Sequence, residues 1–212
     1  MTSRNLLLAL AAPLCVLTLE GCIPAAVVGA GAAAVVSVVD RRTTGAQVDD
    51  EGIELRVANR ITERYGDRAH INVTSYNRVV MLTGEAFDTA MRDEIEKIAT
   101  GIQGVRGVTN EVQVAPITPY SARANDSAIT GKVKARFVDA NKFNAIHVKV
   151  VTEASVVYLM GLVTEKEGND AAEVARTTSG VRKVVKVFEY CRPTDDACRP
   201  REQPKSGDAK AR

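Results

Sequence analysis

The residues of this chain best suited to covalent chemistry are its four cysteines, and their settings differ. Cys15 lies inside an apolar run. Cys22 directly follows the small Gly21, with Leu19 two residues further back, at the point where foldable sequence begins. Cys191 and Cys198 are separated only by Arg192-Pro193-Thr194-Asp195-Asp196-Ala197, an even pair in what reads as an exported protein. Such a pair suits a small disulfide loop. A zinc half-site is the rival, but no further Cys or His lies nearby to complete it, and free thiols are the remaining alternative.

Acid–base and metal chemistry have less to work with. His70 and His147 begin the first strand of two matching segments, and neither has a Cys, Asp or Glu at ligand spacing, so both read as structural or exposed. No nucleophile elbow or P-loop occurs. Gly101 to Gly107 is a helix stop rather than a phosphate cradle, since no strand precedes it and no helix follows. The carboxylates fall mostly on exposed helix faces. The expectation is therefore no catalytic residue, no metal, no cofactor and no enzyme.

Upstream of Cys22 stands one basic residue, Arg4, then the apolar stretch from Leu6 to Leu19, broken by Pro13. That is the length of a secretory signal and too short for a stable membrane-spanning helix. Leu19-Glu20-Gly21-Cys22 resembles the lipobox of bacterial lipoproteins, which implies transfer of a diacylglycerol to the Cys22 thiol, cleavage after residue 21 and acylation of the new amino terminus, with palmitate among the chains. Each buried acyl methylene contributes about 0.8 kcal/mol, so two or three chains fix a protein to a bilayer where one does not. Ile23 stands where an aspartate in that family means inner-membrane retention, so the resemblance implies the periplasmic face of the outer membrane. The Ala, Val and Gly run up to Val39 reads as an apolar tether, its small residues weakening it as a helix.

Roughly 190 residues remain after the signal, enough for one large or two small domains. Their formal charge of +2 argues against nucleic-acid binding by bulk charge. Any anionic partner must be met by a local patch.

What positions these residues is one unit written twice. Asp50 to Val114 lies over Asp126 to Tyr190 with a single residue of slippage: Ile53, Val57 and Ile61 meet Ile129, Val133 and Phe137, Gly84 meets Gly161, and Gly104-Val105-Arg106 meets Gly180-Val181-Arg182. In each unit an amphipathic helix precedes a β-hairpin, a second helix and a last strand. Asp49 and Asp50 are expected to cap the first helix, Asp88 to open the second, and Thr164 with Glu167 to form a capping box. The second unit is expected to run as a helix from Ser127 to Asp139, strands around Ile146 to Thr152 and Val156 to Gly161, a helix to about Ser179, and a strand from Val184 to Tyr190. A helix joining two strands of one sheet makes them parallel.

This αββαβ order, the glycine after the second strand and the Gly-Val-Arg step before the third resemble the BON domain. The resemblance implies an α+β fold of two tandem BON domains, each a three-stranded mixed sheet packed on two helices. The boundaries read as signal peptide 1–21, lipidated tether 22–45, first domain 46–115, linker 116–123, second domain 124–191 and a disordered tail 192–212. With the lipobox, it is similar to dual-BON outer-membrane lipoproteins, which implies that the second domain binds anionic phospholipid through its first helix. The matching residues are Asn125, Asp126, Ala128, Lys132, Ala135 and Arg136. Ile129, Val133 and Phe137 should face the core, leaving Ala128, Lys132, Ala135 and Arg136 as an outward stripe. Lys183 and Lys186 could extend it. The plainer alternative is that Lys132, Lys134 and Arg136 only solvate a helix. The implied role is envelope integrity and division-site processes, including septal peptidoglycan hydrolysis or outer-membrane protein assembly. A protein-interaction scaffold without lipid recognition is the rival, and it predicts an exposed apolar patch.

Overall fold

A computed structural model describes residues 40–198. The predicted signal segment 1–21, the acylation site Cys22, the apolar stretch to Val39 and the tail from residue 199 lie outside the described residues.

The first unit comprises α1 (Thr44–Tyr65), β1 (His70–Tyr76), β2 (Val79–Ala86), α2 (Thr89–Thr100), β3 (Gly107–Asn110) and β4 (Gln113–Val114); the second comprises α3 (Tyr120–Ala140), β5 (Val148–Glu153), β6 (Val156–Val163), α4 (Glu165–Arg176) and β7 (Lys183–Tyr190). In each sheet the hairpin is antiparallel and the last strand joins parallel to the middle one. The fold is α+β, two mixed sheets each backed by two helices. The last strand of the first unit is interrupted at Glu111 and Val112, yet β3 and β4 pair with β2 in one register.

α1 starts earlier than the sequence suggested. Thr43 caps it, its hydroxyl accepting from the Ala46 amide at 3.1 Å, so Asp49 and Asp50 lie inside the helix and cap nothing there. Residues 40–45, expected in the tether, are part of the fold. Arg41 forms a bidentate ion pair with Glu167, at 2.7 and 2.9 Å, and Arg42 pairs with Asp40 and Asp50 while lying 4.2 Å from the centre of the Tyr76 ring. α3 is also longer than expected. Pro119 stands at its N-cap, so residues 120–123 are helix rather than linker and the connection from β4 is five residues, 115–119. α4 stops at Arg176, short of Ser179, because the hydroxyls of Thr177 and Thr178 take the carbonyls of Glu173 and Val174. Asp88 and the Thr164–Glu167 capping box start α2 and α4 as the sequence indicates.

Both hairpins turn on two residues with positive φ: Asn77 and Arg78 at 50° and 64°, Ala154 and Ser155 at 47° and 62°. Such turns usually hold Asn-Gly, because a side chain there costs about 1–2 kcal/mol. Here a buried helix carboxylate offsets that cost. Asp50 of α1 accepts from the amides of Asn77 and Arg78 at 2.8 and 2.6 Å, and Asp126 of α3 accepts from those of Ala154 and Ser155 at 2.9 Å each. The repeated glycine has an equally local cause. A Cβ on Gly84 would lie 1.9 Å from the His70 carbonyl oxygen, and one on Gly161 2.2 Å from that of His147.

Each sheet buries both faces. One packs on its helices, around Ile53, Val57, Val80, Leu82 and Ile95 in the first unit and Ile129, Val133, Phe137, Val157 and Leu159 in the second. The other faces meet across the units in a third cluster of Tyr76, Met81, Tyr158 and Met160, flanked by Val151, Leu162, Val185 and Val187. This explains why β2 and β6 read as nearly continuous apolar runs rather than alternating ones. Burial, with the charges of Glu111 and Glu153 adding to it, pushes the Tyr158 phenol up to about 12, so it stays neutral there. Polar ties cross the rim: Lys149 to Glu54 at 2.6 Å, Asn77 to Glu189 at 3.1 Å, and Asn72 to Glu153.

Candidate functional site

α3 is the element on which the sequence-predicted residues converge. Its inward face is fixed by Asp126, Ile129, Val133 and Phe137, all buried. At about 100° per residue the opposite ridge then falls to Tyr120, Ala124, Ala128, Gly131, Ala135 and Val138, and all of these are exposed. Lys132 and Asn125 flank this ridge on one side, Lys134 and Ser127 on the other, and all four are exposed. The surface is a low ridge of small residues between two lysines, with Tyr120 at its start and Val138 near its end, 80% and 68% exposed.

Of the six residues matched on this helix, Asn125, Ala128, Lys132 and Ala135 lie on the exposed side. The other two do not face solvent freely. Asp126 is 4% exposed, and both its carboxylate oxygens are engaged with the hairpin turn. Arg136 bends back to α4, donating to the Val174 carbonyl at 3.1 Å and to the hydroxyls of Thr178 and Thr177 at 2.8 and 3.1 Å. Its position borders the core, and the carbonyls at the C-terminal end of α4 attract a cation. The outward stripe therefore loses Arg136 and gains Tyr120 and Val138. Pro119 is the one signal that could have placed Tyr120 on the helix, since proline favours helix starts.

The remaining predicted residues lie elsewhere. Cys191 and Cys198 are joined in a disulfide with a Cα separation of 6.2 Å, just past the end of β7, and Cys198 is buried. Lys183 and Lys186 are exposed, and Lys186 donates to Asn169 of α4 at 3.2 Å. His147 is buried ahead of β5, whereas His70 stands beside two carboxylates, an arrangement the sequence spacing did not indicate. The N-terminal segment adds a further charged contact. Burial pushes the Glu167 carboxyl up, but the hydrogen bonds from Arg41 and from the Thr164 amide and hydroxyl outweigh it and hold the group below the usual carboxylate range.

A second surface feature lies between the start of α2 and the connection from β4 to α3. Phe87, 79% exposed, stands with Met91, Pro116 and Ile117 around an open cavity of about 670 Å³, bordered by Arg68 and Asp88. Among the described residues no helix is long and apolar enough to cross a membrane.

The BON domain family matches the chain twice, at residues 49–116 and 125–192. The chain is 39% identical over 174 residues to the outer membrane lipoprotein DolP of Haemophilus influenzae, covering 81% of this chain and 90% of that protein. It is 36% identical to a 21 kDa hemolysin of Actinobacillus pleuropneumoniae, covering 72% and 79% of the two chains. To the osmotically-inducible protein Y of Escherichia coli it is 31% identical, covering 65% of this chain and 70% of the other.

Proposed function

The chain belongs to the BON domain family, carrying the domain twice, and from that premise we propose that it is an outer-membrane lipoprotein, anchored through Cys22, whose second domain binds anionic phospholipid through α3. What supports the anchor is the Leu19-Glu20-Gly21-Cys22 segment together with a relative named as an outer membrane lipoprotein. What carries the lipid reading is the exposed face of α3, where small residues permit close approach and Lys132 and Lys134 stand on either side. A lysine near an anionic surface contributes about 1 kcal/mol. Tyr120 supplies an aromatic ring of the kind that settles at a headgroup layer. The contact is reversible and concentrates the anchored protein where anionic lipid gathers, in support of envelope integrity and division-site processes. No catalytic step is assigned to it.

The test is cosedimentation of the mature protein with vesicles of phosphatidylglycerol or cardiolipin against phosphatidylcholine alone, at low salt. Binding should favour the anionic vesicles and weaken with salt. Lys132→Glu with Lys134→Glu should lower affinity at least tenfold without lowering stability. Equal binding to all three vesicles, or no change in the double variant, refutes the lipid reading. Mass spectrometry of the native chain should find an acylated Cys22 at the amino terminus, and Cys22→Ser should leave the protein unanchored.

One observation favours a second reading, a docking scaffold: the exposed Phe87 and Ile117 beside the half-buried Met91. In that case Phe87→Asp abolishes partner capture, and capture persists without lipid.

A further inference from the structure

His70 opens β1 and is the direct cross-strand partner of Glu85 in β2. Its Nδ1 lies 3.0 Å from Glu85 Oε2 and 3.9 Å from Oε2 of Glu153, which closes β5 of the other domain. The three candidate ligand atoms all lie within 4.8 Å of one another. The two carboxylates are almost fully buried, Glu85 at 4% and Glu153 at 8% exposure.

The outer oxygens are already fixed. Glu85 Oε1 accepts from the Thr118 hydroxyl, and Glu153 Oε1 accepts from the Asn72 side-chain amide. Glu153 Oε2 is different: it is buried, has no hydrogen-bond partner and points toward His70 Nδ1. A carboxylate oxygen left that way is costly, and its position needs an explanation. A proton on His70 does not supply one, because Nδ1 carries a single hydrogen and Glu85 stands closer.

We propose that His70, Glu85 and Glu153 form a binding site for a divalent transition-metal ion of the zinc type, which ties the two domains together. Ligands at about 2.0–2.2 Å in tetrahedral array lie about 3.3–3.6 Å apart, and the separations of 3.0 and 3.9 Å from Nδ1 bracket that range. One neutral imidazole and two carboxylates carry two negative charges, matched by the ion. A nitrogen ligand among so few oxygens selects zinc, cobalt or manganese over calcium. Asn72 and Thr118 orient the carboxylates from behind, as outer-shell groups do at metal centres. An open cavity of about 700 Å³, lined by His70, Asn72 and Glu153 with Tyr120 and Arg123, gives the ion a path and leaves room for a water ligand.

Among the described residues the arrangement occurs once. One repeat further along, Leu162 stands where Glu85 does, and Tyr76 occupies the position that corresponds to Glu153. The cluster therefore does not follow from the BON fold itself. It arises from how these two copies differ and how they meet.

The experiment uses the full mature chain in detergent, stripped with chelator and titrated with Zn²⁺ and separately with Co²⁺. One equivalent of Zn²⁺ should bind and raise the unfolding midpoint, and Co²⁺ should give visible bands of a four- or five-coordinate site. His70→Ala and Glu153→Gln should each weaken binding more than tenfold and remove the midpoint shift. Asn72→Ala, which spares all three ligands, should weaken it about tenfold and guards against a variant that fails to fold. The proposal is overturned if no equivalent binds, or if His70→Ala and Asn72→Ala bind as the parent does. An unfolding midpoint that neither Zn²⁺ nor Co²⁺ moves overturns it as well. Vesicle binding by α3 is measured separately, so failure here does not touch that reading.

Discussion

At the residue scale, the most informative side chains are Asp50 and Asp126, one turn or more inside their helices. A buried carboxylate in a helix is unusual unless something must be held, and each holds the amides of a hairpin turn whose residues have positive φ. Asp50 also accepts from the Ser75 hydroxyl at 2.7 Å and from Arg42 at 2.9 Å, so it has more to lose. Asp50→Asn should destabilise the protein by about 2–3 kcal/mol and Asp126→Asn by about 1–2 kcal/mol, read as lower urea midpoints at unchanged slope. Ala154→Gly has the opposite sign. It relieves the left-handed conformation while keeping the amide, and should stabilise by about 0.5–1 kcal/mol. If all three move the midpoint alike, the turns are not where that energy resides.

At the element scale, helix and strand positions follow from apolar spacing, whereas their ends follow from single polar groups. The core faces of α1 and α3 were legible as Ile53, Val57, Ile61 and Ile129, Val133, Phe137, because a helix with one buried stripe repeats every three to four residues. The helices start several residues earlier than that spacing indicates. The leading segments, around Gly45-Ala46-Gln47 and Ser121-Ala122-Arg123, carry no apolar period, and only Thr43 and Pro119 mark them. The small residue after the second strand has a sharper role. Gly161→Ala drives a Cβ into the His147 carbonyl, and a loss of about 3 kcal/mol is expected in thermal unfolding. Arg136→Ala should lower stability by about 1 kcal/mol through α4 while leaving vesicle binding nearly unchanged; Lys132→Glu should do the reverse.

At the scale of the whole molecule, the two domains are joined through the faces of their sheets, and the segment before α1 reaches across to the second domain. Arg41 pairs with Glu167 and donates to the Leu162 carbonyl at 2.9 Å. Because the folded state holds Glu167 below the ordinary carboxylate value, its contribution is fully present above that value and is lost as pH falls through the lowered one. Glu153 works the other way. Burial above all, with Glu85 adding to it and His70 opposing, raises its folded value, so ionising it costs stability as pH climbs from the ordinary carboxylate value through the raised one. Unfolding midpoints between pH 3 and 7 should therefore show a steeper acid loss in the parent than in Arg41→Ala. Glu153→Gln should raise the midpoint near neutrality when metal is absent.

The chain by itself determined the duplication, the αββαβ order, the core faces and the glycine at each close approach. All of these rest on local periodicity or on the conformational range of one residue, which a linear string records. It also held Cys191 and Cys198 at a spacing that a disulfide can close. Only the tertiary structure decided which cations face out. Lys132 remains exposed while Arg136 is drawn to a carbonyl that lies 38 residues further on and to the two threonine hydroxyls just beyond it. It decided as well that His70, Glu85 and Glu153 meet. The first two are brought together by hairpin register and the third by the packing of one sheet on another, and neither relation leaves a fixed spacing in sequence.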